Sequence, residues 1–383
     1  MSIQGIKELC LDKESAIRTT ETCSGKHRVS GTSGQRGLGM LKQGLVQVYT
    51  GTSEQMNLAH LGLCLRATGQ GLRTCLLGLS DHPYIGIEGR ALANLKPHVQ
   101  VERVPLSGGS PAEPLKKGDT GTIQAALDHI QEVAEGGGFD IIILEEVNHM
   151  LGGGIIPVDA MVKLIEKKPS GVEFVLTGRN APKEIIEQAD LVTEMVEHKR
   201  EEGSWTINGS SQEGCTGVVT GDGKGKTTYC LGRAMLFAAN GIPASILQFI
   251  KSPRPYGEVV AIERFPNLEI KTMGEGFIMG PFKPSRSHLK AARDAWEECL
   301  REIFSLAYRL IVLDEINIAT HLGLVHPERV REMMYLKPRD LHVILSGRNA
   351  HPEMREHASA VFEMKEIKHP FHDGIGARRG IEF

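Results

Sequence analysis

Thr220-Gly221-Asp222-Gly223-Lys224-Gly225-Lys226-Thr227-Thr228 is the stretch whose reading decides the fold. It follows the apolar run Gly217-Val218-Val219 and precedes a segment with Leu231, Ala234, Met235 and Ala238 on one helical face. A strand therefore hands over to a helix across three glycines, which is the context of a phosphate-binding loop. The glycines let the backbone N–H groups of Gly223 to Thr228 turn inward, Lys226 brings a point charge, and the helix start adds its positive end. The hydroxyl of Thr227 is placed to ligate Mg²⁺. The usual pattern begins with Gly, whereas this chain has Thr220 there, so the match covers the last two-thirds of the motif. The competing reading is a lysine-rich surface turn.

Further along, Leu310-Ile311-Val312-Leu313-Asp314-Glu315 is an apolar strand ending in two acids. Such a strand delivers a carboxylate to the sheet edge beside the loop, where Asp314 and Glu315 can hold Mg²⁺ directly or through water. Arg348, after the strand His342 to Ser346, emerges at the same edge and is a candidate phosphate contact, with a surface ion pair as the competing reading.

The order of elements then proves to be a repeat. Thr50-Gly51 lines up with Thr220-Gly221, and Gly71 with Gly241, 170 residues apart. Leu144-Glu145-Glu146-Val147-Asn148 meets Leu313-Asp314-Glu315-Ile316-Asn317, and Thr177-Gly178-Arg179-Asn180 meets Ser346-Gly347-Arg348-Asn349, at an offset of 169. The chain reads as a tandem duplication: a polar arm over residues 1–44, a first copy over 45–200, a linker over 201–213 and a second copy over 214–383. Strands are expected at Leu45 to Tyr49, Thr74 to Leu79, Ile141 to Glu146, Val172 to Leu176 and Leu191 to Val196, alternating with helices. That alternation indicates α/β architecture, a mostly parallel sheet covered on both faces in each copy. The copies are chemically unequal. In place of Gly223 to Thr228 the first has Ser53-Glu54-Gln55-Met56-Asn57-Leu58, without lysines or the Mg²⁺-binding hydroxyl, so no ordinary triphosphate site is expected there.

Length and composition agree with this. At 383 residues, 40 % apolar and 24 % charged, the chain can bury sizeable cores, and a formal charge of −3 gives no general attraction to nucleic acid or anionic lipid. Seven scattered cysteines without Cys-x-x-Cys read as reduced thiols of a cytoplasmic protein, and no apolar run reaches membrane-spanning length.

The second copy resembles the ATP:corrinoid adenosyltransferases. The resemblance rests on the loop at 220–228, Gln248-Phe249-Ile250-Lys251, Gly257-Glu258, Gly276-Phe277, Leu313-Asp314-Glu315, Ser346-Gly347-Arg348, and the tail Lys368-His369-Pro370-Phe371-His372-Asp373-Gly374 with Ala377-Arg378-Arg379-Gly380-Ile381-Glu382-Phe383. It implies two tandem P-loop-type (RecA-like) domains and transfer of the 5′-deoxyadenosyl group of ATP to a reduced corrinoid, releasing triphosphate. Cobalt(I) is itself the nucleophile, so no side-chain triad is needed. Lys226, Thr227, Asp314 and Glu315 are then the expected catalytic set, with Mg²⁺ on Thr227, Asp314 and Glu315. ATP would lie against Gly221, Asp222, Gly223, Lys224, Gly225, Lys226, Thr227, Thr228 and Arg348, with Glu258 on a ribose hydroxyl, an exposed loop glutamate being the competing reading of that residue. Phe277 and Met279 match the positions where the family places residues under the corrin ring, Met279 standing where well-known members have Trp. The family also implies an electron-donating flavoprotein partner and dimers, for which the first copy can substitute within one chain. Two other functions stay open at this point: a conventional P-loop ATPase or kinase acting at the γ-phosphate, and a non-catalytic corrinoid or ATP-binding protein.

Overall fold

Ile141-Ile142-Ile143-Leu144 and Leu310-Ile311-Val312-Leu313 are aliphatic runs too short for stable helices, and each forms a strand buried on both faces. The computed structural model describes residues 41–52, 58–79, 85–104, 120–204, 213–276 and 284–383. In the first half the strands are β1 (Val46–Gly51), β2 (Thr74–Gly78), β3 (Val99–Arg103), β4 (Ile141–Glu145), β5 (Glu173–Thr177) and β6 (Leu191–Arg200). The second half repeats them as β7 (Thr216–Thr220), β8 (Ala244–Gln248), β9 (Leu268–Thr272), β10 (Leu310–Asp314), β11 (His342–Ser346) and β12 (Ala360–Lys368).

All twelve belong to one sheet in the order β3-β2-β4-β5-β1-β6-β12-β7-β11-β10-β8-β9. The order is palindromic: read from either edge, the two halves present corresponding strands in the same sequence. Within each half every pairing is parallel, and the halves meet through the antiparallel pair β6–β12. This junction explains why β6 outruns the strand expected to end at Val196. Its last residues pair with β12, Arg200 lying opposite Ala360.

Alternate side chains of the interior strands enter different cores, as the two-residue period requires. Ile142 and Leu144 pack into a core private to the first half, and Ile311 and Leu313 into one private to the second. Ile141, Ile143, Leu310 and Val312 point the other way, into a single core shared by both halves. At the centre of that shared core the helix Leu58–Gly69 packs against the helix Lys226–Ala239. A methyl group on Gly62 would lie 1.9 Å from the Thr228 carbonyl oxygen, and one on Gly232 would lie 2.0 Å from that of Leu58. Glycine at these two equivalent positions permits backbones to touch. The close crossing also accounts for the burial of the phosphate-loop helix nearly all round, where one apolar face was expected: Tyr229, Gly232, Arg233 and Leu236 are buried along with Leu231 and Met235.

Candidate active site

The phosphate loop spans the gap between β7 and the helix Lys226–Ala239, as its sequence requires. Gly221 and Gly225 take φ values of 95° and 105°, which side-chain-bearing residues rarely adopt. Tyr49 of the first half closes over Gly225, its ring 3.0 Å from where a Cβ would stand. Lys226, buried, turns its ammonium back to the Gly223 carbonyl at 2.6 Å. The Gly223 amide donates to Met364 of β12 at 2.7 Å, so it does not belong to the inward-facing set of N–H groups.

Asp314, fully buried at the end of β10, is the centre of the acidic cluster. It accepts hydrogen bonds from Thr227 Oγ1 at 3.1 Å, Ser346 Oγ at 2.6 Å and Gln248 Nε2 at 3.0 Å. The loop threonine and the strand carboxylate are thus brought together from residues 87 apart in the chain. Glu315 follows in a left-handed conformation, φ 65°, its amide donating to Ser346 Oγ. One of its carboxylate oxygens, Oε2, is buried without a hydrogen-bond partner. Burial and the neighbouring Asp314 push its carboxyl up to about 7, against the pull of Lys226, Lys251 and Arg348. Burial lowers the Lys226 ammonium to about 8, with Glu315 opposing the shift.

A hydroxyl, a buried carboxylate and an unpartnered glutamate oxygen form a hard oxygen set of the kind that suits Mg²⁺. The residues present therefore fit the ion that the loop motif implies. Ser346 and Gln248, which orient Asp314, carried no assigned role in the sequence. Their signal was their position: each ends a strand adjacent to β10, and Gln248 lies opposite Asp314 in register.

The other expected residues are placed as follows. Arg348 reaches the loop, its guanidinium donating to the Asp222 carbonyl at 2.9 Å. Lys224 pairs with Glu382 of the tail at 2.8 Å, and the adjacent tail residue Arg378 grips Glu173 of the first half at 2.7 and 2.9 Å. The tail thus ties the phosphate loop to β5. Glu258 lies in the short helix Gly257–Ala261, fully buried, its carboxylate held by Arg66 of the first half and by Lys251. No hydrogen bond joins it to the loop among the described residues. Phe277 and Met279 fall outside the described residues, as do Ser53 to Asn57 of the first copy.

The recurrence of Gly-Arg-Asn has a backbone cause. Asn317 Nδ2 donates to the carbonyls of Leu345 and Gly347, and Asn148 makes the same pair of bonds to Leu176 and Gly178. Gly347 and Gly178 sit at φ 121° and 119°, and Asn349 and Asn180 at 58° and 56°. These residues build the strand-end corner in both halves, whatever chemistry the corner carries.

Among the described residues no helix is long and apolar enough to cross a membrane. A family model for the ATP:corrinoid adenosyltransferase BtuR/CobO/CobP matches the chain twice, over residues 42–206 and 212–383. An uncharacterized protein of a Nostoc species is 29 % identical over 370 residues, 89 % of this chain and 95 % of the relative. A corrinoid adenosyltransferase of a Sinorhizobium species is 38 % identical over 177 residues, 45 % of this chain and 82 % of its own length. That of Pseudomonas aeruginosa is 36 % identical over 167 residues, 43 % and 82 % respectively. With the model matched once in each half of a palindromic sheet, the chain belongs to the ATP:corrinoid adenosyltransferase family as a tandem duplication, and it is an enzyme of that class.

Proposed function

We propose that the second half transfers the 5′-deoxyadenosyl group of ATP to the cobalt of a reduced corrinoid, cob(I)alamin or cob(I)yrinic acid a,c-diamide, with triphosphate as leaving group. The observation that carries this reading is the convergence of Lys226, Thr227, Asp314 and Glu315 at one sheet edge, in the half that retains the loop. The cobalt(I) electron pair attacks C5′; a cobalt–carbon bond forms, the C5′–O bond breaks, and its electron pair departs on the triphosphate. The protein's part is positioning and charge stabilisation, not activation of a nucleophile.

Loop amides and Lys226 would hold the triphosphate, with Arg348 and Lys224 beside it. Lys226 need only swing from the Gly223 carbonyl to a phosphate oxygen. Thr227, Asp314 and Glu315 would hold Mg²⁺, which when bound neutralises charge on the triphosphate. Ser346 and Gln248 fix the Asp314 carboxylate for that purpose. Phe277 and Met279 are assigned to the corrinoid face on the family pattern. The first half acts as a partner subunit within the chain: its helix Leu58–Gly69 and Tyr49 support the phosphate-loop helix and loop. The reading also takes the enzyme to work in the cytoplasm and to receive electrons from a flavoprotein.

Anaerobic incubation with ATP, Mg²⁺ and chemically reduced cobalamin tests it. A light-sensitive adenosylated corrinoid is expected from the wild type and none from Lys226→Ala. ADP with an unchanged corrinoid spectrum would replace this reading with an ordinary ATPase.

A further inference from the structure

Away from the phosphate loop, the first half gathers His60, Glu88 and Glu145, whose candidate ligand atoms all lie within 4.8 Å of one another. His60 comes from the helix Leu58–Gly69, Glu88 from the helix Ile85–Ala93, and Glu145 ends β4. All three are buried, His60 completely. The cluster occupies the place that Asp314 holds in the second half, since Gly78 lies opposite Glu145 in register as Gln248 lies opposite Asp314. His60 and Glu88 correspond to Cys230 and Glu258, each 170 residues on.

The chemistry at this place has changed in one direction. In the second half Gln248 donates to the Asp314 carboxylate, whereas Gly78 has no side chain to offer Glu145. An inert Cys230 is replaced by an imidazole. Neither ring nitrogen of His60 has a hydrogen-bond partner, a costly state for a fully buried polar group. Its Nε2 faces Glu145 Oε1 at 3.6 Å, too far for a hydrogen bond. Two ligands each about 2.1 Å from a tetrahedral ion stand about 3.4 Å apart, close to this separation. Two carboxylates buried side by side repel unless a proton or a cation lies between them.

We propose that the first half binds a divalent first-row transition-metal ion through His60 Nε2 and the carboxylates of Glu88 and Glu145. One imidazole nitrogen with two carboxylates suits Zn²⁺ or its neighbours better than Mg²⁺ or Ca²⁺, which take oxygen alone. The ion pins two helices to the end of β4. This site is separate from the Mg²⁺ ligands of the second half and does not depend on the reaction assigned there.

The test is metal analysis of the tag-free, full-length protein after dialysis, followed by Co²⁺ titration of chelator-treated protein in the visible. One equivalent of a transition metal per chain is expected in the wild type and in Asp314→Asn, lost in Glu145→Gln and His60→Gln. Intense Co²⁺ ligand-field bands should follow the same pattern. Glu145→Gln is nearly isosteric, and wild-type Co²⁺ binding needs no variant, so misfolding of His60→Gln leaves the test intact. A folded wild type that takes up neither Zn²⁺ nor Co²⁺ would overturn the proposal in favour of a shared proton. An equivalent lost in Asp314→Asn but kept in Glu145→Gln would overturn it too, by moving the ion to the phosphate loop.

Discussion

Replacing Glu258 with Gln separates a structural from a nucleotide-binding role at one atom. The carboxylate, fully buried, accepts from Arg66 Nε at 2.8 Å and Nη2 at 3.3 Å, and from Lys251 Nζ. The Arg66 and Lys251 side chains are only 7 % and 9 % exposed, so neither cation regains water when its partner is neutralised. Breaking a buried pair by removing one charge costs about 3–5 kcal/mol. Arg66 keeps its bond to the Ile381 carbonyl at 3.0 Å. The glutamine oxygen can also still accept, which brings the expected loss to about 2–4 kcal/mol. Burial alone would raise the Glu258 carboxyl, but Arg66 and Lys251 outweigh it and hold it well below the usual range. The contribution is therefore present above the unfolded value, near pH 4.5, and is lost as pH falls towards the folded one. Urea unfolding followed by far-UV circular dichroism at neutral pH gives the number directly. Unchanged stability with a raised KM for ATP would refute the reasoning and return Glu258 to the ribose.

Three further outcomes are expected. Gly62→Ala forces a methyl group onto the Thr228 carbonyl, 1.9 Å away, and should cost about 1–3 kcal/mol or more in thermal unfolding, with Gly232→Ala behaving alike. Ser346→Ala removes the 2.6 Å donor to Asp314 and should raise the Mg²⁺ concentration needed for half-maximal activity about 10–100-fold, read from a Mg²⁺ titration of initial rates. His342, 2 % exposed and lowered to about 4 by burial and by Arg233, stays neutral in the folded state while the unfolded chain protonates near pH 6.5. Its contribution is thus complete above pH 6.5 and lost as pH falls through about 4. The urea midpoint should drop across that window in the wild type and less in His342→Asn.

Much of this was legible in the sequence because it is local. The loop glycines, the aliphatic runs of β4 and β10, and the paired carboxylates each announce themselves within a few residues, and the repeated corner follows from backbone needs at Gly347, Asn349 and Asn317. What stayed hidden depends on partners far away in the chain. Glu258 looks like an ordinary loop glutamate until Arg66 arrives from 192 residues earlier. Lys224 looks free for phosphate until Glu382 of the tail meets it. The union of both copies in one sheet depends on β6 and β12, and the polar residues of β6 that complete the junction, such as Glu197 and Lys199, lie beyond the strand expected to end at Val196. His60, in an apolar helix, gives no sequence sign that its ring faces two glutamates.

Isotope position tests the central claim most directly. ATP carrying ¹⁸O in the oxygen bridging C5′ and the α-phosphate is turned over anaerobically with reduced corrinoid, and the released phosphates are analysed by mass. Attack at carbon predicts one ¹⁸O in intact triphosphate, with adenosylated corrinoid in equal amount, both abolished in Lys226→Ala. Labelled ADP with unlabelled phosphate would contradict the account, because the bond broken would then be to the γ-phosphorus.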